Sequence, residues 1–317
     1  MDLYHLKSNS LASIPQDEFK LEKDLQQIVE SNLETLFSLS FVSSEFLLGE
    51  FRLDTLAYDE ENNAFVIIEY KKKHNASVID QGYSYLSLML NNKAEFILEF
   101  NEKRHQTLKR TEINWSSSRV LFISPSFNRY QKNSVNFKDI PFELWEIKRF
   151  AGDIISIDQV HATSKESIDQ ITTSQDSSVI TQVSSEIEVY REDDHIAKLS
   201  PAMREVWDEL RANLEDWPES SFYARRPYIG FRRGNKTACF IHFRKDALRI
   251  DISRGEKTED GERTSNFFDL DDYKQLASEN DWTYKSGRTG HKYAIRLKRI
   301  EDVAYVLQLI EQKYKSI

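Results

Sequence analysis

The sequence predicts a mixed α/β domain followed by a smaller α+β domain. Three observations carry that expectation. The apolar run Phe65–Ile68 reads as a buried strand, and it ends on Glu69 and Lys71, two charges on one face. Stretches with helical spacing stand before and after it. A polar stretch, "HATSKESIDQITTSQDSSVITQVSSEIEVYREDD" (161–194), separates this part from a second set of helical and strand-like runs.

Taken in order, "LEKDLQQIVESNLETLF" (21–37) sets Leu21, Leu25, Ile28, Val29, Leu33 and Leu36 at helical spacing. "SEFLLGEFRLDTLAYD" and "NAFVIIEYK" read as strands joined by "EENN", a hairpin. "SVIDQGYSYLSLML" (77–90) is helical despite Gly82, and "AEFILEF" is a strand or a second helix. "RVLFIS" (119–124) and "FELWEIKRF" (142–150) are strands around a short helix in "SFNRYQKNSV". This order suggests a mixed sheet with helices on both faces. Beyond the polar stretch, "SPAMREVWDELRANL" begins with Ser200 as N-cap and Pro201 in the first turn, with Met203, Val206, Trp207, Leu210 and Leu214 as its apolar stripe. "YIGFRR", "TACFIHF", "ALRIDIS" and "YAIRLK" are strands, and a last helix places Val303, Val306, Leu307 and Ile310 on one face. The expected boundaries are 1–160 for the first domain, 161–196 for an acidic linker, with a helix packed on a neighbour as the alternative for part of it, and 197–317 for the second domain.

Composition bounds the function. The net charge is −9 over 317 residues, which argues against coating nucleic acid by overall charge. Residues 1–160 hold 18 Lys/Arg against 24 Asp/Glu, residues 161–196 hold 2 against 8, and residues 197–317 hold 23 against 20. Only the last region is basic. Cys239 is the single cysteine, which excludes an intrachain disulfide and a thiolate zinc cluster. No run is apolar enough to span a bilayer, and the first residues lack the pattern of a secretory signal, so a cytoplasmic protein is expected.

The chemistry gathers at the end of the apolar strand. Charges there need partners, because desolvating an unpaired ion costs several kcal/mol. If the hairpin forms, Asp54 in "FRLDTLAYD" lies on the strand beside Glu69 and Lys71. Two carboxylates and a backbone carbonyl suit Mg²⁺ or Mn²⁺, and a lysine beside them can hold a water or stabilise charge on phosphoryl oxygens. Gln81 and Tyr85 follow one helical turn apart and can face the same site. An E-x-K alone is more simply a solvated strand end; Asp54, Gln81 and Tyr85 together turn the reading towards a metal site.

With those residues in place, the chain resembles the PD-(D/E)XK nuclease superfamily, and within it the predicted nucleases that carry a C-terminal DUF5655 domain, some of which bear a transport-protein label. The resemblance rests on "VESNLETLF", "RLDTLAYD" and "VIIEYKKKHNASVIDQGYSYL" and covers about residues 20–150, with the DUF5655 likeness over about 197–317. It implies a restriction-endonuclease-like mixed sheet flanked by helices. It implies metal held by Asp54, Glu69 and the Tyr70 carbonyl, with Glu30 as a further carboxylate from the first helix. Catalysis would fall to Asp54, Glu69, Lys71 and Gln81. The proline of the superfamily name is replaced by Leu53, and Glu45 resembles another acidic position near the site, with weaker support.

Other segments keep two readings. Lys72 and Lys73 extend the basic run as phosphate guides or as a solvated turn. "FYARRPYIGFRRG" interleaves Arg225, Arg226, Arg232 and Arg233 with aromatics, as a nucleic-acid surface would, or sends arginines to water over an aromatic core. "SGRTGHKYAIRLK" holds an anion or forms a tight turn. The expectation is a Mg²⁺- or Mn²⁺-dependent endonuclease acting on nucleic acid, DNA before RNA, with a C-terminal recognition domain and a homodimer as one arrangement. The rival is an inactive nucleic-acid- or protein-binding module on the same scaffold.

Overall fold

In the computed structural model of the chain, residues 2–71, 77–137, 139–161, 164, 177–255, 257, 262–263, 267–285, 287 and 289–317 are described. They form two units, Met1–Asp59 with Asn63–Val189 and Glu60–Asn62 with Tyr190–Ile317.

The first unit begins with a hairpin of β1 (Leu3–Lys7) and β2 (Ser10–Ile14), then β3 (Gln16–Asp17). The stretch expected as one helix is two, α1 (Glu22–Glu30) and α2 (Leu33–Phe37), broken at Ser31 and Asn32. Next come β4 (Ser40–Leu48) and β5 (Phe51–Asp59), which turn at Gly49, where φ is +60°. The run expected as one strand therefore folds back on itself. β6 (Ala64–Tyr70) pairs antiparallel with β5 from Thr55↔Ile68 to Asp59↔Ala64, the expected hairpin. Helices α3 (Val78–Asn91) and α4 (Lys93–Arg104) then cross to β7 (Arg119–Ser124), so "AEFILEF" is helical. That crossover is what lets β6 and β7 run parallel. Helix α5 (Arg129–Ser134), strands β8 (Phe142–Phe150) and β9 (Ile154–Val160) and helix α6 (Ser177–Glu186) complete the unit.

The sheet order is β3-β8-β7-β6-β5-β4, with β9 paired to β8. Leu25, Val29 and Leu33 cover one face, packing on Ala57, Val66, Ile68 and Tyr70. Val78, Leu86, Met89, Phe96 and Phe100 cover the other, packing on Leu56, Phe65, Ile67 and Phe122. Every residue of β6 is buried, as a strand covered on both faces must be. Gly82 is required inside α3, since a Cβ there would lie 2.6 Å from the Phe142 ring. Part of the polar stretch is helix α6, packed on α3, which is the helical alternative expected within the linker. Val183 and Ile187 are buried in the first unit's core, and Gln182 bonds to Ser87 and Asn91 of α3.

The second unit holds α7 (Glu192–Ile196), α8 (Pro201–Glu215), β10 (Ser220–Arg225), β11 (Tyr228–Arg233), β12 (Lys236–Arg244), β13 (Ala247–Gly255), β14 (Ala277–Thr283), β15 (Thr289–Leu297) and α9 (Val303–Ser316). The strands form one antiparallel sheet, order β10-β11-β12-β13-β15-β14. Ser200 Oγ accepts the Met203 N–H at 3.4 Å and caps α8 as expected. Trp207, Leu210 and Leu214 of α8 and Val306, Leu309 and Ile310 of α9 bury Ile241, Ile250 and Ile295 on one sheet face. Cys239 is a core residue there, its thiol pushed up by burial. Among the described residues, no helix is long and apolar enough to cross a membrane.

Candidate active site

The β5–β6 register decides the site. Thr55 faces Ile68, so the ladder carried one residue further sets Asp54 across from Glu69. Alternation then directs Asp54, Glu69 and Lys71 to the face covered by α3. Asp54 Oδ2 accepts the Tyr70 N–H at 3.0 Å, which ties the acid to the last residue of β6. Glu69 is buried, and its Oε1 accepts from Lys71 Nζ at 2.9 Å and from Gln81 Nε2 at 2.8 Å. Gln81 Nε2 also donates to the Tyr85 hydroxyl at 2.7 Å. Asp54, Glu69, Lys71, Gln81 and Tyr85 thus converge, Asp54 from within β5, Glu69 and Lys71 from the end of β6 and the last two from one face of α3.

The electrostatics are strained towards a cation. Burial pushes the Asp54 carboxyl up, the neighbouring Glu69 carboxylate pushes it further, and it reaches about 7. Burial and the charge of Glu69 also raise the Tyr85 phenol, which stays neutral and serves as a hydrogen-bonding group. Glu69 Oε2 and Gln81 Oε1 are buried without a hydrogen-bond partner. Such atoms are rare in proteins and point to a missing partner. Among the described residues no three His, Cys, Asp or Glu side chains gather to hold an ion. Mg²⁺ does not need three, since it keeps several waters and takes one or two carboxylates. The hard oxygen donors, the orphaned Glu69 oxygen and the mutual repulsion of the two acids fit such an ion.

Glu30 does not join this group. Its Oε1 accepts from Thr55 Oγ1 at 2.6 Å and from Gln26 Nε2 at 2.9 Å, and the same Thr55 hydroxyl meets the Tyr70 hydroxyl at 3.2 Å. Thr55 and Tyr70 alternate to the face opposite Asp54 and Glu69, so Glu30 belongs to the α1 side of the sheet. The first-helix carboxylate whose charge raises Asp54 is Glu22 instead. Gln26, which the sequence reading passed over, is buried and donates to the Asp54 carbonyl at 3.0 Å and to Ser44 Oγ at 3.1 Å. A polar residue next to Leu25 on an apolar helix face was the signal available for it. Glu45 pairs with Lys23 and Arg52 near the surface. Lys72 and Lys73 lie outside the described residues.

In the second unit the four arginines divide by alternation. Arg225 and Arg232 flank the Tyr223 ring at 5.3 and 4.4 Å on the face away from the helices. Arg233 turns the other way, to Glu219 at 3.0 Å and over Tyr314. Arg226 is exposed in the turn between β10 and β11. In the glycine-rich segment, Gly287 has φ +92°, as a turn requires, whereas Gly290 is within β15.

Residues 192–317 match the family model described as "Domain of unknown function (DUF5655)". A protein of Haemophilus influenzae (strain ATCC 51907 / DSM 11121 / KW20 / Rd) described as "Uncharacterized protein" is 37% identical over 321 residues, covering 100% of both chains. Among solved structures, the chain is similar to a repair endonuclease from Pyrococcus abyssi, with 14% identity and a TM-score of 0.22 over 37% of this chain and 43% of that one. It is also similar to the EndoMS-dsDNA2 complex, with 15% identity and a TM-score of 0.26 over 46% of this chain and 64% of that one. The chain thus spans less than two thirds of either solved chain.

Proposed function

We propose that this chain, which belongs to the family of the uncharacterized Haemophilus influenzae protein, is a metal-dependent nuclease that hydrolyses phosphodiester bonds and uses its second unit for recognition. The observation that carries the reading is the pairing of Asp54 with Glu69 beside Lys71 and Gln81, with Asp54 raised to about 7. A structural ion pair would neutralise its acids, and here two acids share one ammonium. Asp54, Glu69 and the Tyr70 carbonyl would hold Mg²⁺ or Mn²⁺, which supplies a polarised phosphate oxygen and a more acidic water. Lys71 orients the attacking water and stabilises the charge that develops on the phosphoryl oxygens. The free Oε1 of Gln81 accepts a proton of that water, and the Tyr85 hydroxyl holds the Gln81 amide in place. Lys72 and Lys73 would steer the backbone towards the site. DNA is the substrate proposed before RNA, in a cytoplasmic protein that works as a homodimer when both strands are cut.

The test is incubation of the pure protein with labelled DNA and RNA in Mg²⁺, Mn²⁺ or EDTA. Cleavage with metal, none in EDTA, and none by Asp54→Asn or Glu69→Gln is the expected result. Identical behaviour of wild type and variants would sink the enzyme reading. Binding without cleavage by the wild type would leave the scaffold role in its place.

A further inference from the structure

The second unit carries a cleft that hydrolysis at Asp54 and Glu69 does not use. On the sheet face away from α8 and α9, a cavity of about 530 Å³ is lined by Arg244, Arg249, Asp251, Trp282, Lys292 and Arg296 among others. Asp251 is the most buried of these six, at 2% exposure. Its Oδ2 is crowded, with Lys292 Nζ at 2.6 Å, Arg249 Nη2 at 3.1 Å and His242 Nε2 at 3.3 Å. Its Oδ1 is buried and has no hydrogen-bond partner, and neither does the buried Nε of Arg249. One acceptor and one donor, on two residues that line the cavity, therefore stand unpaired. A network built only for stability would satisfy both, because a partly satisfied buried network is costly.

The aromatic wall is also arranged. Trp282 on β14 pairs with Gly290 on β15. A Cβ at residue 290 would lie 2.4 Å from the indole, so the glycine lets the ring rest against the backbone. Lys292 Nζ lies 4.6 Å from the ring centre. Arg244 and Arg296 are exposed at the same cleft and add two cations. A cavity of several hundred Å³ with a few converging polar groups is the usual form of a small-ligand site.

We propose that this cleft binds a nucleotide. The base stacks on Trp282, donates an N–H to Asp251 Oδ1 and accepts from Arg249 Nε, while the phosphate is held by Arg244 and Arg296. Four cations, Arg244, Arg249, Lys292 and Arg296, against two carboxylates, Asp251 and the His291-paired Asp281, favour an anionic ligand over a bare base. Guanine fits best: uracil and thymine also set an N–H donor beside a carbonyl acceptor, but the larger purine ring covers more of Trp282. The ligand is a free nucleotide or a nucleotide within a single strand. The inference rests on the recognition role proposed for the second unit and not on hydrolysis.

Calorimetric titration of the full chain in EDTA tests it, with the four nucleoside monophosphates and with five-nucleotide single strands of each base. One site per chain is expected, guanine preferred, with binding weakened by about tenfold or more in Trp282→Leu and Arg249→Gln. Asp251→Asn should lose the guanine preference; if that variant fails to fold by circular dichroism, the other two decide. Tighter binding of strands assigns the site to nucleic acid, and tighter binding of monophosphates assigns it to free nucleotide; both uphold the cleft. No binding of either kind, or unchanged binding in Trp282→Leu and Arg249→Gln, overturns it. With metal absent, failure here leaves the nuclease reading standing, and a chain that cleaves nothing can still bind.

Discussion

Asp54 in the first unit and Asp251 in the second are both largely withdrawn from water on a sheet, and their surroundings drive them in opposite directions. Asp54 has burial and the Glu69 carboxylate against it, and its carboxyl is raised to about 7. Burial also opposes Asp251, but hydrogen bonds from His242 and Lys292 outweigh it and hold the carboxyl below the usual carboxylate range. The first site is short of positive charge and the second has it in excess. A cation completes the one; an anion with a hydrogen-bond donor completes the other. Charge balance therefore says more about each site than burial does.

The largest expected effect breaks the first half of this comparison. Glu69→Gln removes the acid that Lys71 and Gln81 share, and cleavage should fall by roughly 10³-fold or more, with Lys71→Ala losing on the order of 10²-fold. Measured turnover of a labelled substrate checks both. In the second unit, Asp251→Asn breaks a buried ion network and should cost about 3–5 kcal/mol in denaturant unfolding. The pH dependence has a definite sign. The folded Asp251 carboxyl lies below its ordinary value of 3.8, so its stabilisation is present above pH 3.8 and is lost as pH falls through the folded value. Acid unfolding of the variant should therefore show a shallower decline below about pH 4 than the wild type.

Smaller effects sharpen the boundary of the first site. Glu30→Gln keeps an acceptor for Thr55 and leaves the Asp54 face untouched, so cleavage should persist with a stability loss of about 1–2 kcal/mol. A loss as deep as that of Glu69→Gln would return Glu30 to the metal shell. Glu45→Ala removes exposed pairs with Lys23 and Arg52 and should change stability by less than about 1 kcal/mol, with turnover unchanged.

Much of the first unit was legible because its physics is local. The run Phe65–Ile68 and the alternation beyond it set β6, and the "EENN" turn set its pairing with β5. Those two facts alone bring Asp54 to Glu69. Gln81 and Tyr85 followed from helical spacing. Glu30 was misplaced by a different kind of inference, carried over from resemblance, whereas its actual partner Thr55 depends on which face of the sheet α1 covers. That is a tertiary fact. Helix α6 was only one of two readings of the polar stretch, because a short helix with Val183 deeply buried, and Ile187 just beyond its end, leaves few apolar positions to read. Strand β14 was missed for a related reason: "ASENDWT" is an exposed edge with no apolar alternation. The nucleotide cleft needed both β14 and the β13–β15 register, so nothing in the linear order of Asp251, Trp282 and Lys292 announced it.

Manganese titration followed by electron paramagnetic resonance measures the cation at the paired acids most directly. One tightly held Mn²⁺ per chain in the wild type, absent from Asp54→Asn and Glu69→Gln and retained by Glu30→Gln, is the predicted result. Retention of the ion by both of the first two variants, or no ion held by the wild type, would contradict the assignment of Asp54 and Glu69 as its ligands.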